Sequence, residues 1–87
     1  MSVAAETIKE HDVVVLTRDV PEHGLVAGDS GVVVSMHAAK SAAEPAWYAL
    51  EIFALNGDTI DVIDVPAGAV RPARKDEIAH ARPVAAE

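Results

Sequence analysis

Four histidines, a serine set between glycines and a spaced trio of aspartates are the residues of this chain whose types could do chemistry. His11, His23, His37 and His80 are the imidazoles available as a general base or metal ligand, yet no His-x-x-His or His-Glu-x-x-His pair puts two of them on one face. Two of them could still meet in space, as could His23 with Glu22 or Asp29, but lone loop histidines are usually solvated. Ser30, between Asp29 and Gly31, faintly imitates a nucleophile elbow, but Gly28-Asp29-Ser30-Gly31 has the wrong spacing and no helix pattern follows it. Asp58, Asp61 and Asp64 suggest a hard cation; read on a strand, however, Asp58 and Asp61 fall on opposite faces, and the calcium-loop spacing is absent. The chain has no cysteine, hence no thiolate nucleophile, thiolate metal site or disulfide. The residues therefore predict no catalytic site, no metal and no cofactor.

The elements that would position any site are short and β-like. Asp12 to Thr17 is rich in β-branched residues and too short for a stable helix, so it predicts a strand closed by Arg18-Asp19-Val20-Pro21. Pro21-Glu22-His23-Gly24 suits a turn, and Gly28-Asp29-Ser30-Gly31 a second one, which together predict a long folded-over loop. Gly28 and Gly31 supply positive φ or close approach, and Asp29 can bond neighbouring amides. Gly31 to His37 predicts the second strand, Ala38 to Ala46 an exposed mobile loop, and Trp47 to Ala54 the third strand. Asn56-Gly57 predicts a tight two-residue hairpin with both central residues at positive φ. Thr59 to Val65 is the fourth strand, Pro66 to Ala69 one short helical turn, and Val70 to Pro72 a brief fifth strand.

Only three residues are aromatic among the 87 while 51% are hydrophobic, so the core must be built from Val, Ile, Leu and Ala. Five short hairpin-linked strands predict an all-β fold, a small, strongly bent five-stranded barrel over residues 9–73. Residues 1–8 are a loose arm and 74–87 a tail, partly helical or disordered, because Ile78 is the tail's one sizeable apolar anchor before its final residues. The longest apolar runs are far shorter than the roughly 20 residues of a membrane-spanning helix, and no signal pattern opens the chain, which predicts a cytoplasmic protein.

The strings Asp12-Val13-Val14-Val15-Leu16, Pro21-Glu22-His23-Gly24-Leu25, Gly28-Asp29-Ser30-Gly31-Val32-Val33 and Tyr48-Ala49-Leu50-Glu51-Ile52 resemble the small bacterial proteins grouped as domain of unknown function 4926. The resemblance spans about His11 to Pro72 and centres on Leu-x-x-Gly-Asp-x-Gly-x-Val at Leu25 to Val33. Similar turns occur in other Src-homology-3-like barrels, including ribosomal and elongation modules. What the resemblance implies is that barrel fold, no established activity, and a companion protein of the kind found in toxin and antitoxin pairs. The Ala38 to Ala46 loop and the C-terminal tail depart from the pattern.

Alternation along the third strand puts Tyr48, Leu50 and Ile52 inward and Trp47, Ala49, Glu51 and Phe53 outward. Trp47 and Phe53 together could bury on the order of 300 Å² on association, enough to seed an interface, unless the arm or the tail covers them within the chain. The function expected is a non-enzymatic protein-binding module that self-associates or docks a cognate protein through Trp47, Glu51 and Phe53. The alternative is a nucleic-acid-binding barrel of ribosomal type, stacking bases on Trp47 or Phe53. It is disfavoured by a net charge of −7, with 11 acids against three bases in residues 1–70 and only Lys9, Arg18, Lys40 and Arg71 near the barrel. A regulatory subunit of a metalloenzyme is a third reading, by fold analogy alone.

Overall fold

The computed structural model describes residues 7–84. It is all-β, with five antiparallel strands in one sheet: β1 (Val13–Leu16), β2 (Ser30–His37), β3 (Trp47–Phe53), β4 (Thr59–Pro66) and β5 (Val70–Pro72). The spatial order is β4-β3-β2-β1-β5, so the chain meanders from β1 to β4 and then returns β5 to the free side of β1. No ladder joins the edge strands β4 and β5 among the described residues; a 3-10 turn at Ala67–Ala69 connects them. No helix among these residues is long and apolar enough to cross a membrane.

Two irregularities bend the sheet. Between Val33 and Ser35 the register with β3 slips by one, leaving Val34 as an extra residue on β2, and Ile60 is the extra residue of β4 opposite Ile52 and Phe53. Each bulge adds local twist and turns the strand, so the inner surface curls around a small core. That core is aliphatic as composition requires: Val14, Leu16, Val33, Leu50, Ile52, Ile63 and Val65 from the strands, closed by Val20, Leu25, Ala69 and Val70. Tyr48 packs against it half-buried.

The early loop folds over as its two turns predict. Val20 and Leu25 exchange backbone hydrogen bonds of 2.9 and 3.1 Å across the 3-10 turn Pro21–His23, and Gly24 ends that turn in the left-handed region. Both flanking side chains are thereby driven into the core. At the second corner Gly28 holds φ +97°, while Gly31 has a different duty. An added Cβ there would stand 2.9 Å from Ile52 Cδ1 and 3.1 Å from the Glu51 carbonyl oxygen, so Gly31 is the point of closest approach of β2 to β3.

The β3–β4 connection corrects the expected two-residue hairpin. The Gly57 amide donates to the Ala54 carbonyl at 2.9 Å and the Ala54 amide to the Asp58 carbonyl at 2.7 Å, which encloses three residues, Leu55, Asn56 and Gly57. Only Gly57 has positive φ, at +100°. This is a turn followed by a left-handed glycine, the usual three-residue solution. Asn56 serves it by accepting from the Asp58 amide through Oδ1 at 3.1 Å.

Residues 1–6 of the arm and 85–87 of the tail lie outside the described residues, but Ile8 packs against the core cluster. Residues 73–84 contain no helix. They are held by two arginine–carboxylate pairs that the sparse hydrophobicity of the tail gives no hint of.

Candidate functional site

The outward side chains of β3 and of its two neighbours make one face, and the ladder register fixes its rows. Trp47 lies between His37 of β2 and Pro66 of β4; Ala49 lies between Ser35 and Asp64; Glu51 lies between Val32 and Val62. The third row continues to Val13 of β1, which pairs with Val32. Phe53 ends β3 opposite Thr59. Alternation thus assigns the outward set as the sequence predicts, with Leu50 and Ile52 buried beneath it.

Trp47 and Phe53 share this face but do not touch. Six residue steps along the strand separate them by about 20 Å, so they stand at opposite ends and cannot act as one aromatic pair. Val32 and Val62 flank Glu51 between them, the latter 54% exposed, and the row Ser35–Ala49–Asp64 separates these valines from Trp47. Glu51 sits at the centre, its Oε2 accepting from Thr59 Oγ1 at 2.6 Å.

At the Trp47 end the indole stacks on the His37 ring, centroids 3.8 Å apart and planes 10° from parallel. His37 Nε2 lies 3.2 Å from Ser35 Oγ. Beside the stack the β2–β3 loop frames a groove of about 500 Å³ whose walls include Lys40, Glu44, Pro45, Asp64 and Pro66. Despite the stack, Trp47 keeps 36% of its surface open. The sequence does not place His37 beside Trp47, because the loop from Ala38 to Ala46 leaves the register of the two strands open until the ladder itself is seen.

At the Phe53 end a second groove, about 430 Å³, runs between the Gly28–Asp29 corner and Leu55, Ile60 and the tail residues 78–82. Phe53 remains 41% exposed, so the tail shares this groove without covering the ring. The tail is tied at two points. Glu77 bridges Arg71 of β5 through both carboxylate oxygens, at 3.0 and 2.5 Å, and accepts from the Arg74 amide at 2.7 Å. The Arg71 hydrogen bonds, then that of the Arg74 backbone, hold the Glu77 carboxyl down at about 2. Further along, Arg82 forks onto Asp29: Nε donates to Oδ1 at 3.1 Å and Nη2 to Oδ2. The hydrogen bond to Asp29 pushes the Arg82 guanidinium above its ordinary value. Arg82 was not among the residues that sequence spacing singled out, because nothing local to residue 82 points to a partner 53 positions earlier.

The remaining sequence candidates are scattered. Asp29 shapes its own corner, accepting from the Val26 amide at 2.8 Å. Pro21, Gly24, Gly28, Gly31, Asn56 and Gly57 all stand at turns or at the close approach described above. His23 faces neither Glu22 nor Asp29; its Nδ1 lies 3.3 Å from Asp61 Oδ2. His11 occupies the turn before β1 at φ +75°. Among the described residues no three His, Cys, Asp or Glu side chains are grouped to hold a metal ion.

Among protein-family models, one described as Domain of unknown function (DUF4926) matches residues 10–72. No curated protein and no solved structure matches the chain.

Proposed function

The chain belongs to that family, whose description carries no activity, and we propose that it is a non-enzymatic protein-binding module that docks a cognate protein through the outer face of β2, β3 and β4. The observation that carries this reading is the exposure of Trp47, Val62, Val13 and Phe53 on one face, around a central carboxylate. Large apolar side chains on a common surface with a polar rim are the usual anatomy of an interface. The acids Glu51 and Asp64 on the face select a partner whose own apolar patch is set among Lys and Arg.

Self-association, the other form of this reading, is opposed by charge. Two copies meeting face to face would bring Glu51 against its own kind. Pairing β4 with a second β4 would crowd the acids carried by that edge strand, and Pro66 cannot donate to such a ladder. Nucleic-acid binding is supported less still: Arg71 and Arg82 are bound to Glu77 and Asp29, which leaves few cations for phosphate.

The test is sedimentation of the purified chain, followed by quantitative capture from its native cells with wild type and Trp47→Ser/Val62→Ser side by side. A monomer that retains one protein, which the double variant and high salt both release, is the expected outcome. A dimer dissolved by the same substitutions would place a second copy on the face instead. Equal retention by wild type and variant would overturn the assignment of the face.

A further inference from the structure

We propose that the groove between the Gly28–Asp29 corner and Phe53 is a receptor for an extended, arginine-bearing peptide segment of a partner, and that the chain's own residues 78–84 hold it in cis. The inference shares Phe53 with the outer face but depends on Asp29, not on Trp47 or Val62.

Three observations converge on it. The receptor side is organised by its own backbone: Asp29 Oδ2 accepts from the Val26 amide at 2.8 Å, and Gly28 and Asp29 are bonded to Leu16 of β1, the Gly28 amide donating at 2.9 Å and the Asp29 carbonyl accepting at 2.8 Å. The carboxylate is therefore aimed before any guanidinium arrives. Next, the occupant already seated shows what fits. Arg82 places Nε and Nη2 on the two oxygens of Asp29, and Nη2 also reaches the Gly24 carbonyl at 3.4 Å, a planar fork that lysine cannot copy. Val84, half-buried, follows on the same extended segment and lines the groove. Finally, the division of the chain fits a receptor and an added ligand. Gly24, Asp29 and Phe53 lie in the family-matched residues 10–72, whereas Arg82 lies beyond them.

The hold is also weak enough to be released. The paired side chains keep 30% and 21% of their surface in water, so hydration of both ions offsets part of what is lost when the tail leaves. Ile78, 93% exposed, adds almost no burial. A segment bearing arginine, supplied at sufficient concentration, then takes the tail's place at Asp29, and the tail sets the threshold it must exceed.

A peptide of residues 78–84, Ile-Ala-His-Ala-Arg-Pro-Val, titrated into the full chain and followed by amide NMR provides the test. With Arg82→Ala in the protein, saturable shifts are expected at Gly24, Gly28, Asp29 and Phe53, and the wild-type chain should bind the same peptide about tenfold more weakly because its own tail competes. Adding Asp29→Asn should abolish the shifts, as should alanine in place of the peptide's arginine, whereas Trp47→Ser should leave them unchanged. Equal affinity for wild type and Arg82→Ala, or equal binding of the arginine-free peptide, would overturn the proposal. Should the Arg82 variant not fold, a nitroxide on Ala81→Cys in the otherwise native chain decides it: selective broadening of Gly28 and Asp29 in dilute solution is expected, and its absence is equally fatal.

Discussion

Two glycines three positions apart answer to different physics, and substitution separates them. Gly31→Ala places a methyl 3.1 Å from a backbone carbonyl that cannot rotate away and 2.9 Å from Ile52 Cδ1. Loss of about 1–3 kcal/mol in a urea melt is expected from overpacking at the β2–β3 contact. Gly28→Ala meets nothing within 4 Å, yet its φ of +97° is costly for any L side chain. Its loss of about 1–2 kcal/mol should come without any change in core packing, visible as unshifted Ile52 methyl resonances. His11 lies in the same φ region without being glycine. Leu50→Ala tests the core beneath the candidate face. This side chain is fully buried among aliphatic neighbours, and about 2–5 kcal/mol should be lost.

Among the elements, β4 is where stability and solubility meet. It is an edge strand with Ile60 and Val62 exposed, and the acids Asp61 and Asp64 interrupt what would otherwise be an adhesive ribbon. Asp64→Val should leave the monomer folded but make sedimentation concentration-dependent through edge pairing; a variant that stays monomeric would show that the bulge at Ile60 suffices as protection. This element also shows what the sequence can and cannot tell. Its strand character was legible from Ile60, Val62, Ile63 and Val65, as was the facing of β3 from the single charge at Glu51. The bulge was not, because the residue that becomes extra is settled by how two strands meet and not by either alone. The same holds for the hairpin: Asn56-Gly57 identifies a turn, but the bulge beside it decides that Leu55 joins the loop. His37 was legible only through its pairing with Trp47, and Arg82 only through a contact across the whole fold.

For the molecule as a whole, the tail connects acid response to architecture. The Glu77 carboxyl, lowered to about 2 from its ordinary 4.5, favours the folded form above pH 4.5, where it is ionised in either state. That contribution fades as pH falls from about 4.5 towards 2. Amide protection factors at Arg74 and Glu77 should fall over this interval before those of β2 and β3 do, and Glu77→Gln should remove that acid dependence. A tail protected equally at pH 3 and pH 6 would contradict the assignment. The stack of Trp47 on His37 has a use beyond binding. The chain owns a single indole, and it lies at the mouth of a groove in van der Waals contact with an imidazole. Its ultraviolet emission is therefore a built-in gauge of that one spot: prising the rings apart, or laying something over them, changes colour and brightness with no dye attached.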